Sequence, residues 1–334
     1  MKFIHFGCWN NGGCSETGTN GLSLMTKKLR EYVSSNPIEF LAVAGDNYYP
    51  KKDEEGKHFN KAEFLSGFDC LPKEIKKYLI FGNHDIEDKV IDETSVPINC
   101  KLLDEQKKIV EENNTYEIFD DVIHKVIGDT LIIMFDSNLY ENKEDKKIID
   151  TCYSQLFAGF VNKTVLKIKD LMSYQNCYIK DLLTTHLDKK NIIFIGHHPI
   201  YSIKNKKENK DAYKLDRFIS FIKQIQTILL EKNIYYLCAD THLYQEGRVF
   251  ITPEIEIKQY IVGTGGAEQD KIYVVDNDII ENGHLVYRKS IERREFGFLE
   301  VDIGDSDINF KFISATEMSG GNKFKKYKIL KKKY

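Results

Sequence analysis

Five short clusters in this chain carry side chains that can bind a metal ion or pass a proton. They are Gly7-Cys8-Trp9, Gly45-Asp46-Asn47-Tyr48-Tyr49, Gly82-Asn83-His84-Asp85, Gly196-His197-His198-Pro199 and Asp240-Thr241-His242. Thiolate, carboxylate and imidazole are common protein ligands of transition metals, and imidazole also exchanges protons near neutral pH. Each cluster alone has a plain structural reading. Gly-Asn-His-Asp can be an Asx turn at a helix start, Asp46 a turn cap, and His197-His198 a loop with one buried, satisfied ring. The five gain meaning from a shared context: each follows directly on an apolar, β-rich run.

Those runs lie at 2–6, 40–44, 77–81, 191–195 and 235–239, with two more at 130–135 and 259–263. Most are short and nearly continuous in apolar residues, as strands buried on both faces are. Helical patterns at 22–34, 104–112, 166–187 and 214–231 fall between them, so the expected class is α/β with stacked βαβ units. In an open α/β sheet, ligands bind beyond the carboxyl ends of the strands. Metal-binding residue types on successive strand ends therefore converge on one point. Glycine opens four of the five clusters, which lets the chain turn sharply at the sheet edge. Near the end of the chain, 296–303 and 308–314 read as antiparallel strands, ahead of a lysine-rich end at 323–334 that reads as a solvated tail. Segments 87–114 and 140–165 are polar, charged and weakly periodic, and read as surface excursions. No internal repeat or Pro/Gly-rich linker divides the chain, so one domain, 1–334, is the simplest organisation.

The order of the clusters resembles the calcineurin-like metallophosphoesterase superfamily: Gly-Asp-Asn-Tyr-Tyr, Gly-Asn-His-Asp, Gly-His-His-Pro-Ile-Tyr-Ser, then Thr-His. A tyrosine three residues after the aspartate is similar to the purple acid phosphatase variant. Gly7-Cys8-Trp9, Gly12-Gly13 and the glycine turn within 260–266 resemble that variant as well. The resemblance runs through residues 1–270 in order and implies a two-sheet β-sandwich flanked by helices. It also implies a two-metal centre in which Asp46 bridges both ions. Tyr49 and His242 would serve the first ion, and Asn83 and His197 the second. His84 is implied as the group that faces the substrate and protonates the leaving oxygen, not as a ligand. Two divalent or mixed-valence ions (zinc, iron or manganese) would activate a water and clamp the phosphoryl oxygens of a phosphorylated small-molecule or protein substrate.

Two positions depart from the pattern. Cys8 stands where the family carries a first-metal aspartate, and Asp240 where it carries a second-metal histidine. Both replacements are themselves ligand types, and thiolate favours softer ions such as zinc. The alternatives are a buried thiol or a Cys14 partner for Cys8, and a turn carboxylate for Asp240. Two function classes follow. One is a metal-dependent phosphatase acting on a phosphomonoester, supported by His84. The other is a non-catalytic, phosphatase-like scaffold with a degenerate metal site, supported by Cys8 and Asp240.

The composition sets outer bounds. Across 334 residues, 42% are hydrophobic and 30% charged, the balance of an ordinary globular chain. A net charge of −3 speaks against a nucleic-acid or membrane-surface protein as a whole, so no nucleic-acid partner is expected. No apolar run approaches the ~18 residues of a membrane span. The seven cysteines are scattered rather than arranged as a disulfide framework, and the first residues read as a strand rather than a leader. The resulting default is cytoplasmic, or secreted if a leader has been removed. Asn113-Asn114-Thr115 and Asn162-Lys163-Thr164 fit glycosylation acceptors.

Overall fold

A computed structural model describes residues 1–15, 17–49, 51–53, 56–58, 60–86, 98–118, 122–141, 168–205, 210–271, 278–304 and 307–315. Most of the excursion expected at 140–165 and the lysine-rich end lie outside these residues. Two mixed sheets form the frame. The first contains β1 (Lys2–Phe6), β2 (Phe40–Ala44), β5 (Lys76–Ile80), β6 (Tyr116–Ile118), β17 (Gly297–Ile303) and β18 (Ile308–Ser314). Its strand order is β18-β17-β1-β2-β5-β6. The second contains β7 (Ile123–Ile127), β8 (Thr130–Met134), β9 (Asn191–Ile195), β12 (Asn233–Cys238), β13 (Tyr244–Thr252), β14 (Ile255–Val262), β15 (Asp278–Glu281) and β16 (His284–Arg293). Its order is β15-β16-β13-β14-β12-β9-β8-β7. Two hairpins stand apart, β3 (Lys51–Asp53) with β4 (Gly56–His58) and β10 (Tyr201–Asn205) with β11 (Lys210–Lys214).

The sheets face each other, and alternation along the strands shows why. Ile132, Met134, Ile193, Ile195, Tyr235 and Leu237 of the second sheet pack in one core with Phe3, Ile4, Leu41 and Val43 of the first. Their sequence neighbours Leu131, Ile133, Ile192, Phe194 and Tyr236 point the other way. There they meet helices α5 (Ile168–Thr185) and α6 (Asp216–Gln224) through Ile179, Leu183, Phe218 and Ile222. With side chains alternating across a strand, a run buried on both faces must be apolar throughout. Helices α1 (Gly21–Ser35), α2 (Lys61–Asp69) and α4 (Ile98–Glu112) cover the outer face of the first sheet. The result is two sheets between two helical layers, as the resemblance implied. Among the described residues, no helix is long and apolar enough to cross a membrane.

The parallel strands of each sheet bring their carboxyl ends to one edge. β1, β2 and β5 run parallel in the first sheet, and β8, β9, β12 and β14 in the second. Backbone bonds stitch the two edges together, with Gly7 N–H donating to the Val262 carbonyl (3.0 Å) and Gly265 N–H to the Gly7 carbonyl (3.1 Å). Gly7 has no room for a side chain there. A Cβ would lie 2.6 Å from Ala239 Cβ and 2.7 Å from the Ala44 oxygen. His5, one turn of the pleat earlier, is fully buried between the sheets with Nε2 3.1 Å from the Cys238 carbonyl. Burial lowers its pKa to about 4, against the raising effect of the Cys238 and Ala42 carbonyls, so the ring is neutral near pH 7.

The segment expected as an excursion at 87–114 holds α4, whose inner face is anchored by Leu102, Leu103 and Ile109. Cys14 is joined to Cys70 by a disulfide, not to Cys8, whose thiol is buried and outside any disulfide. This link, with Cys14 N–H donating to Ser66 Oγ (3.0 Å), ties the loop after β1 to α2 and the turn that follows it.

Candidate metal centre

All seven ligand positions expected from the sequence lie at the joined strand ends. Cys8 follows β1, Asp46 and Tyr49 follow β2, Asn83 follows β5 and opens α3 (Asn83–Ile86), His197 follows β9, and Asp240 and His242 follow β12. Cys8 (φ 52°), Asp46 (φ 52°) and Asp240 (φ 56°) adopt left-handed backbone conformations. This is uncommon for residues with a Cβ, and such local strain concentrates at functional sites. It turns each side chain inward at the point where its strand ends. Gly45, with φ 79°, precedes Asp46 and lets His197 approach, since a Cβ there would lie 2.7 Å from His197 Nδ1.

Asp46 is the hub, 1% exposed. Oδ2 accepts the Tyr49 hydroxyl (2.6 Å) and faces Cys8 Sγ (3.7 Å). Oδ1 accepts the His84 backbone N–H (2.9 Å) and lies 3.4 Å from His197 Nε2. His197 Nε2 is also 3.1 Å from Asn83 Oδ1 and 4.0 Å from Asp240 Oδ1. On the other side, Tyr49 Oη is 3.1 Å from His242 Nε2. Cys8 Sγ, an Asp46 oxygen and a His197 nitrogen all fall within 4.8 Å of one another.

The proton positions decide what this cluster can hold. His197 Nδ1 lies 2.6 Å from the Ala44 carbonyl and His242 Nδ1 2.7 Å from the Glu268 carbonyl. A carbonyl only accepts, so each Nδ1 carries the proton and each neutral ring turns the Nε2 lone pair inward. Each Nε2 faces oxygens, an arrangement that a metal cation satisfies, as does a second proton on His197. The electrostatics show the same demand for positive charge. Burial raises the cost of the Asp46 charge, but His197, His84 and the bonds from Tyr49 and His84 outweigh it and hold the carboxyl below its usual range. Burial pulls His197 down, and the Asp46 and Asp240 charges more than reverse this. Burial, then Asp46 and Cys8, push the Tyr49 phenol well above its usual range, so it stays protonated unless a cation is present. The donor set therefore fits metal ions, with Cys8, Tyr49 and His242 on one side of Asp46 and Asn83, His197 and Asp240 on the other.

A second group, His197, His198 and Asp240, also brings ligand atoms within 4.8 Å. His198 does not belong in a ligand set. Ser137 Oγ accepts two backbone N–H bonds, from His197 (3.0 Å) and His198 (2.9 Å), so its own proton goes to His198 Nδ1 (2.9 Å). The neutral ring then carries its proton on Nε2, which faces Glu141 Oε1 (3.3 Å) and has no lone pair for a metal. At 1% exposure the ring is also shut off from a substrate. Tyr201, of the same Gly-His-His-Pro-Ile-Tyr-Ser motif, is 3% exposed and stacks on Tyr287.

His84 is half-buried, its ring centroid 4.8 Å from that of Tyr49. Behind the ligands lies a polar web that the sequence reading did not assign. Asp85 is fully buried and accepts from Gly82 N–H (2.8 Å), Asn47 N–H (2.9 Å), Gln106 Nε2 (3.1 Å) and Asn47 Nδ2 (3.3 Å). Burial, then the Asp46 charge, push its carboxyl up to about 7, against the pull of those bonds and of His197. Trp9 Nε1 donates to Asn47 Oδ1 (3.1 Å), consistent with a structural role for the one tryptophan. Ser137 had a visible signal: it follows the run 130–135 and so sits at a sixth strand end.

The sequence model of the calcineurin-like phosphoesterase family matches residues 1–244. No curated protein sequence matches the chain. Among solved structures, the chain is similar to GAP50, the anchor in the inner membrane complex of Plasmodium, at 11% identity and TM-score 0.53, covering 95% of this chain and 85% of that one. It is similar to PhoD at 12% identity and TM-score 0.52, covering 96% and 73% respectively. At such identities these structures support the fold alone. With the family model spanning well over half its length, the chain belongs to the calcineurin-like phosphoesterase family.

Proposed function

We propose that this protein is a metal-dependent phosphatase hydrolysing a phosphomonoester at a two-metal site. The observation that carries the reading is the pair of inward Nε2 lone pairs, on His197 and His242, placed on opposite sides of the shared Asp46 carboxylate. Asp46, Tyr49, His242 and Cys8 would hold one ion, and Asp46, Asn83, His197 and Asp240 the other. Bound ions supply Lewis acidity toward the phosphoryl oxygens and an activated water for in-line attack. The chain's own residues do the rest. Asp46 fixes the spacing of the two halves, and the Ala44 and Glu268 carbonyls hold the histidine tautomers. His84, half-buried beside Tyr49, donates a proton to the leaving oxygen. The Cys14–Cys70 disulfide supports action in an oxidising compartment, in place of the cytoplasmic default.

The second reading is a non-catalytic scaffold. Cys8 and Asp240 favour it, as does similarity to a protein described as an anchor. Hydrolysis of an aryl phosphate, followed with and without chelator over a series of added divalent ions, separates the two. Chelator-sensitive turnover supports the phosphatase. Absence of turnover with every ion supports the scaffold.

A further inference from the structure

Gln106 reaches the metal loops from outside every motif cluster. It sits on α4 and is fully buried. Its side-chain amide faces two ways: Oε1 accepts from Asn47 Nδ2 (3.0 Å) and Nε2 donates to Asp85 Oδ1 (3.1 Å). Asn47 directly follows Asp46, and Asp85 directly follows Asn83-His84. One side chain therefore bonds the neighbours of two ligands of the same ion, which come from two different strands.

We propose that Gln106 is a positioning residue that fixes the Asp46 loop against the Asn83-His84 loop and so sets the geometry of the second ion. The inference rests on the two-metal reading above. A methionine fills nearly the same volume without the cost of desolvating an amide, so space-filling alone does not call for glutamine at this position. The amide matches its partners in polarity at both ends, with its oxygen toward an N–H donor and its nitrogen toward a carboxylate. Gly82 N–H to the Asp85 carboxylate (2.8 Å) holds one loop internally, Asn47 N–H to Asp85 Oδ1 (2.9 Å) and His84 N–H to Asp46 Oδ1 (2.9 Å) join the two loops directly, and Gln106 reinforces that tie. The Cys8, Tyr49 and His242 half makes no bond to Gln106 among the described residues. Its loss should therefore be felt on one side of Asp46 more than the other. Partners of metal ligands commonly change affinity by about 10–100-fold when removed.

The test is Gln106→Met, with Gln106→Glu as a second variant that keeps the acceptor toward Asn47 and places a carboxylate against Asp85. Zinc binding by calorimetry should show two ions on the unaltered protein. In both variants the ion on the Asn83 and His197 side should weaken by about 10–100-fold, and the other by clearly less. Amide hydrogen exchange on the metal-free protein should quicken at Gly82, Asn47 and His84 and stay unchanged at residues 239–242. Equal weakening of both ions, or unchanged exchange at Gly82 and Asn47, overturns the proposal. If the unaltered protein binds no zinc, the two-metal reading fails, and the exchange pattern alone decides whether Gln106 positions the loops.

Discussion

Cys8 and Asp46 have the same left-handed backbone, φ 52° at each, and their side chains meet with Sγ 3.7 Å from Oδ2. They end adjacent parallel strands, and the Cys8 N–H donates to the Gly45 carbonyl (3.0 Å), so the two turns are built as a pair. The thiol, 0% exposed, lies against the carboxylate that is proposed to serve both ions.

The Cys8→Asp substitution follows from this contact. A thiolate ligand should favour zinc over magnesium, and a carboxylate should shift the preference toward harder ions. Activity should be preserved or raised, and the metal giving maximal activity should change. A thiolate in the shell also disfavours a ferric phenolate centre, so the purified protein should be colourless. An unchanged metal preference in Cys8→Asp would show that the sulfur does not bind.

His84 is expected to act on the leaving group, not on the metals. His84→Ala should leave metal content nearly unchanged and slow turnover by about two to four powers of ten. The loss should shrink for aryl esters with good leaving groups, which need less protonation. A parallel fall in metal content would make His84 a ligand instead.

Much of this site was legible because strand-end clusters need only local sequence. β1, β2 and β9 match their apolar runs residue for residue, and every ligand candidate lies just beyond such a run. β13 and β16 were not anticipated. They alternate buried and exposed positions and carry charged residues, so no continuous apolar run marks them. α4 was half-legible: 104–112 showed a helical pattern, but its polar face hid the fact that Gln106 points into the molecule. The Cys14–Cys70 pairing joins residues 56 apart, and no local signal carries that information.

The buried His5 makes stability depend on pH. Its folded pKa of about 4 lies below the ordinary 6.5, so the unfolded chain binds a proton that the folded chain refuses. The contribution is fully present above pH 6.5 and is lost as pH falls toward 4, by about 3 kcal/mol over that window. Denaturation at a series of pH values should show this slope in the unaltered protein and a flatter one in His5→Gln. Identical slopes would mean that other groups carry the acid sensitivity.

The disulfide should contribute to stability and to the site together. Closing a loop of 56 residues constrains the unfolded chain by about 4 kcal/mol. The loop that it anchors holds Asn10, whose carbonyl accepts the Tyr49 N–H (3.0 Å). Cys14→Ser with Cys70→Ser should lower the denaturation midpoint and weaken the ion on the Tyr49 side. A midpoint unaffected by reductant in the unaltered protein would argue against the link.

The central claim is that Asp46 joins two metal sites, and metal content measures it directly. Elemental analysis of the purified protein, loaded with zinc and freed of excess, should find two ions per chain. Asp46→Ala removes the oxygens that face both halves and should bring this close to zero while the fold persists by circular dichroism. No bound metal in the unaltered protein, or two ions retained by Asp46→Ala, would contradict the account.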